Sequence, residues 1–115
     1  MADWSIIYDH WDPKEQTLRE ALCTLGNGYI ASRGAFEEAV AEPELHYPGT
    51  YLAGGYNRLT SEVSGKQIEN EDLVNWPNWL PVSFRQSGEE WFHMRSVEIL
   101  NFKQDLHMKQ GMLRR

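Results

Sequence analysis

One cysteine, Cys23, stands in the whole chain, so no intrachain disulfide can form and a reducing compartment fits. Set between Leu22 and Thr24, it reads as a small core residue rather than a nucleophile. Basic charge is also scarce. Eleven Lys and Arg against 17 Asp and Glu leave a formal net charge of -6, which argues against a nucleic-acid partner, because affinity there comes from cations displacing counterions. No stretch approaches the roughly 18–20 apolar residues that a membrane span needs. The opening Met1-Ala2-Asp3-Trp4 lacks the basic-then-apolar order of a signal peptide. A cytoplasmic protein with no membrane partner is the expectation. The four histidines, His10, His46, His93 and His107, contain no pair at metal-ligand spacing, and only Cys23 could join them. Neither a metal nor a cofactor is expected.

What the chain does have is apolar and aromatic material. Hydrophobic residues make up 41% and aromatics 12%, with five Trp and five Tyr, while charged residues are 24%. At 115 residues this composition fits one soluble globular segment, 1–115, large enough to bury a core. Its most structured stretch is 25–36, where Gly26, Gly28 and Gly34 bracket Tyr29 to Arg33. Asn27-Gly28 is a strong tight-turn signal, so the stretch reads as turn, buried strand, turn.

The remaining elements follow from periodicity and punctuation. Trp4, Ile6 and Tyr8 alternate with Ser5, Ile7 and Asp9 and predict an opening strand. Asp12 as a cap, Pro13 in the first helical position and Glu15 three residues after the cap predict a helix over 13–24. Its apolar face would carry Leu18, Ala21, Leu22 and Leu25, with Gly26-Asn27 as the stop. The acidic run 37–44 reads as a surface loop, 50–56 as a strand weakened by Gly54 and Gly55, and 58–72 as a polar excursion. A brief strand is expected over 73–76, a hairpin from 82–85 and 90–94 across 86–89, and a long half-buried strand over 100–108. Gly111 turns the chain, and Met112-Leu113 begins one more element. Many short strands and one short N-terminal helix predict a mainly β fold, an antiparallel β-sandwich. Its unpaired edges favour self-association.

Gly26-Asn27-Gly28-Tyr29 with Arg33-Gly34 resembles the N-terminal domain of glycoside hydrolase family 65, whose members cleave α-linked glucosides such as maltose, trehalose and kojibiose with phosphate or water. The resemblance continues through Glu37-Glu38, Tyr47-Pro48-Gly49-Thr50-Tyr51, Ala53-Gly54, Tyr56-Asn57, Leu73-Val74-Asn75, Pro77-Asn78-Trp79 and Asp105-Leu106, to Gly111 and Leu113-Arg114. Several motifs in one order are far more specific than any one of them. Gln104, where the family tends to have a basic residue, and the inverted order of Asp105-Leu106 depart from the pattern. The resemblance implies the first part of a larger β-supersandwich, inactive by itself, from which the catalytic helical barrel is absent. It implies as partners an α-glucoside and inorganic phosphate in the full-length parent, the parent's own catalytic domain, and a second copy in a homo-oligomer.

No catalytic residue is expected within the chain. Glu37-Glu38 and Glu89-Glu90 could be offered as a glycosidase acid pair, but adjacent acids beside turn signals read as solvated loop charges. The candidate carbohydrate contacts are Trp76, Asn78 and Trp79, with Tyr56 and Asn57. Two indoles around Pro77 could offer flat apolar faces to a sugar while the amides supply hydrogen bonds. The competing reading is that the rings pack against protein. Arg33 reads as a partly buried structural cation, with Glu37 or Glu38 as candidate partners. A free-standing carbohydrate-binding module and a structural oligomerisation domain remain the alternatives to an enzyme segment.

Overall fold

A computed structural model describes residues 4–115. Strand β1, Ser5–Tyr8, leads to helix α1, Gln16–Leu22; β2, Leu25–Gly26, β3, Ile30–Ser32, and β4, Thr50–Leu52, then form a meander. Strands β5, Tyr56–Val63, and β6, Lys66–Leu73, pair with each other. After a single 3-10 turn at Met94–Ser96 come β7, Gln104–His107, and β8, Met112–Arg114. Every strand pairing is antiparallel, in sheets ordered β1-β7-β8, β2-β3-β4 and β5-β6. The mainly β class with one short helix is therefore as the pattern of strands and turns implied.

Asn27-Gly28 makes the β2–β3 turn. The Asn27 side-chain oxygen accepts from the backbone N–H groups of Tyr29 and Ile30, both at 3.0 Å, and Gly28 has φ +89°, a conformation that favours glycine. Gly34 has a different reason to be glycine. Its N–H donates to the Glu20 carbonyl at 2.9 Å, and a Cβ there would sit 2.6 Å from Cys23 Cβ and 2.8 Å from the Cys23 carbonyl. The strand exit is thus pressed against the end of the helix.

Helix α1 departs most from its sequence reading. Asp12 does not cap it directly; its Oδ1 accepts from Lys14 N–H at 2.9 Å, in a turn that precedes the helix. The apolar face is also reversed: Leu18 and Leu22 are 58% and 52% exposed, while Gln16, Arg19 and Glu20 are buried. The reason is that each inward side chain finds hydrogen-bond partners, even though Gln16 Oε1 and Arg19 Nε have none. Arg19 donates to the His10 carbonyl at 2.6 Å and to Glu15 at 3.0 Å, and lies 4.4 Å from the Tyr8 ring centroid. Glu20 accepts from His46 Nδ1 at 2.6 Å, from Tyr47 N–H at 2.8 Å and from Gln16 at 3.3 Å. Buried charge is tolerated only when paired and hydrogen-bonded in this way.

The core proper joins Phe36, Ala39, Met94 and Phe102, with Tyr8, Trp11, Phe92 and Ile99 packed against it. The expected strand 50–56 is broken by a turn at Ala53-Gly54, after which β5 begins. The polar excursion 58–72 is instead the longest hairpin of the chain, closed by Ser64 at φ 54° and Gly65 at φ 75°. Two consecutive residues of positive φ are the signature of a two-residue hairpin turn. The expected hairpin 82–94 keeps its turn and its closing contact but no regular strands. Phe92 N–H donates to the Phe84 carbonyl at 2.9 Å, and the two rings stack at 4.6 Å. The long last strand shortens to Gln104–His107 because Phe102 turns into the core and Leu100, 88% exposed, does not pack.

Candidate functional site

The segment 74–82 crosses the β2-β3-β4 sheet, and backbone and side-chain bonds fix its path. Asn75 accepts from Thr50 N–H at 3.1 Å and donates to the Pro48 carbonyl at 3.2 Å. Trp76 N–H donates to the Thr50 carbonyl at 2.8 Å, and Val82 N–H to that of Glu37 at 2.9 Å. Between these anchors the chain bends at Trp79, and Asn78 Oδ1 accepts from Leu80 N–H at 3.1 Å. Asn75 therefore works as a brace, and the Asn78 oxygen is occupied locally.

Trp79 projects over β3, where its indole N–H donates to Ser32 Oγ at 2.8 Å. It walls a cleft of about 500 Å³ together with Asn27, Ser32, Arg33, Glu37 and Leu80 among others. With 63% of its surface exposed, the ring offers an apolar face beside amide, hydroxyl, guanidinium and carboxylate groups. That combination can bind a polyol, with hydrogen bonds to hydroxyls and ring contact to C–H faces. Trp76 is not part of this cleft: its indole nitrogen lies where a Gly55 Cβ would approach to 2.9 Å, so the ring rests on the β4–β5 turn.

Tyr56 lines a second, smaller hollow of about 230 Å³ with Tyr29, Tyr51 and Leu73, and Asn57 follows it in the exposed β5–β6 ribbon, opposite Asp72. The five candidate residues are thus divided between separate places on the surface. Sequence reasoning grouped Trp76 with Trp79 by proximity in the chain. It missed Ser32, Arg33 and Glu37 as lining of the Trp79 cleft, although the glycine-bracketed strand was the available signal.

The charged groups are settled by pairing. Arg33 does not meet Glu37 or Glu38; its guanidinium donates to the carbonyls of Tyr47 at 2.7 Å and Thr17 at 3.2 Å. The partner of Glu38 is Arg115, which donates to both carboxylate oxygens at 2.7 and 2.5 Å, reaches Glu37 at 3.2 Å and lies 4.1 Å from the Phe36 ring centroid. Glu38 is consequently buried rather than solvated. Burial pushes its carboxyl up, but the Arg115 hydrogen bonds, a backbone hydrogen bond and the Arg115 charge together outweigh that and hold it below its ordinary value of 4.5. Burial pushes the Cys23 thiol up, which suits a core residue and not a nucleophile. Among the described residues no group of three or more His, Cys, Asp or Glu side chains could hold a metal ion. No helix among them is long and apolar enough to cross a membrane.

Residues 6–115 match the family described as glycosyl hydrolase family 65, N-terminal domain. An uncharacterized glycosyl hydrolase of Mycobacterium tuberculosis (strain H37Rv) is 47% identical over 97% of this chain and 8% of its own length. Trehalose 6-phosphate phosphorylase of Lactococcus lactis is 38% identical over 94% of this chain and 14% of its own length. Kojibiose phosphorylase of Caldanaerobacter subterraneus is 35% identical, with 97% of this chain and 13% of the relative covered. This chain spans 8% to 14% of the length of those relatives. With the match running along nearly all of its described residues, the chain belongs to glycosyl hydrolase family 65, as N-terminal domain sequence.

Proposed function

We propose that these 115 residues are the first, non-catalytic part of the β-sandwich of an α-glucoside phosphorylase or hydrolase. The observation that carries this reading is the coverage: the match takes in almost all of this chain and about a tenth of each relative. In the full-length parent the reaction is inverting. One carboxylic acid protonates the glycosidic oxygen while the nucleophile attacks the opposite face of the sugar. A phosphate nucleophile is already anionic and needs no carboxylate base, whereas water needs one. The parent's partners are an α-glucoside, inorganic phosphate, its own catalytic domain and a second copy of itself.

The test is phosphorolysis of maltose, trehalose and kojibiose by this chain and by the longer polypeptide that contains it. Phosphate-dependent release of a glucose phosphate is expected from the longer protein alone. Turnover by the 115-residue chain would overturn the reading. Release of free glucose without phosphate would make the parent a hydrolase.

A second reading has its own observation, the exposed Trp79 ring in the Ser32 cleft. It makes this domain a carbohydrate-binding module. Titration with maltose or glucose should then change Trp fluorescence, and Trp79→Ala should remove the change; a flat response at high millimolar sugar rules it out.

A further inference from the structure

The β5–β6 ribbon stands apart from the rest of the molecule, with every residue of both strands exposed. Residues paired directly across an antiparallel ladder share a face, so the register divides the ribbon into two unlike surfaces. One carries Arg58 among Glu62, Glu69 and Glu71. Laid on its own copy, that surface would set carboxylates against carboxylates. The other carries Leu59, Val63 and Ile68, which are 55%, 52% and 42% exposed, with Lys66 beside the tip and Asp72 near the base. It has one charge of each sign and an aliphatic stripe between them.

We propose that this aliphatic face is where a second copy of the chain docks, with the two ribbons face to face and antiparallel about a two-fold axis. The four paired rows of this face are Asn57/Asp72, Leu59/Asn70, Ser61/Ile68 and Val63/Lys66. A two-fold axis perpendicular to the strands through their middle sets the first row over the partner's fourth. Lys66 of each copy then lies over Asp72 of the other, twice by symmetry. At the centre Leu59 lies over the partner's Ser61 and Ile68 over the partner's Asn70, which makes the Leu59 and Ile68 side chains of the two copies diagonal neighbours. The arrangement is isologous, as a two-fold contact must be, and it closes without leaving a charge unmatched. Two strands of eight residues offer only a narrow strip, well under the roughly 1,000 Å² expected of a stable interface, so the association is weak and reversible. This takes the proposed self-association further by naming its surface.

Sedimentation equilibrium of the chain from micromolar to millimolar concentration is the test. A reversible dimer is expected. Lys66→Asp and Asp72→Lys should each weaken it by about tenfold or more by setting like charges together, and the double exchange should restore it. Arg58→Glu, on the opposite face, should leave it unchanged. Restoration in the double variant is the outcome that a generally sticky aromatic surface could not give. A dimer indifferent to the single reversals removes this face while leaving self-association standing. A strict monomer, together with lost thermal stability on Leu59→Asp in a longer protein carrying this chain, means that the face is covered by its own polypeptide and also overturns the proposal.

Discussion

At the scale of single residues, the tightest constraint is the contact between Gly34 and Cys23. A methyl group at position 34 has no free space toward the helix, because the atoms it meets at 2.6 and 2.8 Å are a Cβ and a backbone carbonyl. Gly34→Ala should therefore destabilise the fold by about 1–3 kcal/mol, read as a lower thermal midpoint. The Glu38–Arg115 pair gives a pH signature whose sign is fixed. A carboxyl held below its ordinary value of 4.5 contributes stability at pH above that value. The contribution is lost as pH falls through 4.5 toward the folded-state value. Glu38→Gln should flatten this part of the acid-unfolding profile, and denaturant midpoints measured from pH 7 down to pH 3 would check it. None of this pairing was legible beforehand. The sequence places Glu38 next to Glu37 and four residues from Gly34, but Arg115 reaches it only through the fold.

At the scale of elements, helix α1 shows why a periodic pattern can be real and still point the wrong way. Leu18 and Leu22 do lie on one stripe, yet the stripe faces outward, because the opposite side carries Gln16 and Glu20, bonded to each other and to His46, and Arg19, bonded to the His10 carbonyl and Glu15. The two faces should therefore respond oppositely to truncation. Glu20→Ala, which leaves His46 and Tyr47 N–H without their buried acceptor, should lower stability by about 3–5 kcal/mol. Leu18→Ser should change it by no more than about 0.5 kcal/mol. Urea titrations of the two variants make the comparison, and equal losses would mean that the apolar stripe is inside after all. The β5–β6 ribbon is the converse case. Its polar composition concealed a strand pair whose signals were the Ser64-Gly65 turn and the alternation of Leu59, Ser61 and Val63. The opening strand, the existence of the helix, the Asn-Gly turn and strands β3 and β4 were legible from local chemistry, whereas Leu25–Gly26, read as the helix's face and stop, is strand β2. The Trp79 cleft was legible only in part, because Ser32 and Arg33 come to it from a distant strand.

At the scale of the whole molecule, the described residues are spread rather than balled. The radius of gyration is 17.6 Å, with extents of 55 × 45 × 24 Å, where a compact chain of this length has about 13 Å. Small-angle scattering from a dilute solution should give a value near 17.6 Å; one near the compact figure would show that the sheets close on each other. The spread also explains why 41% hydrophobic residues yield so small a core, with Trp4, Tyr29, Val82, Phe84 and Leu100 all more than half exposed. One pairing runs against this openness. Ser5 faces His107 across β1 and β7, so the first strand finds its partner only after the intervening chain has been made. At a synthesis rate of about 5–20 residues per second, that is a delay of roughly 5–20 s on the ribosome. During that interval β1 emerges with a bare hydrogen-bonding edge, and a chaperone that holds this nascent strand would have its best opportunity before residue 104 appears.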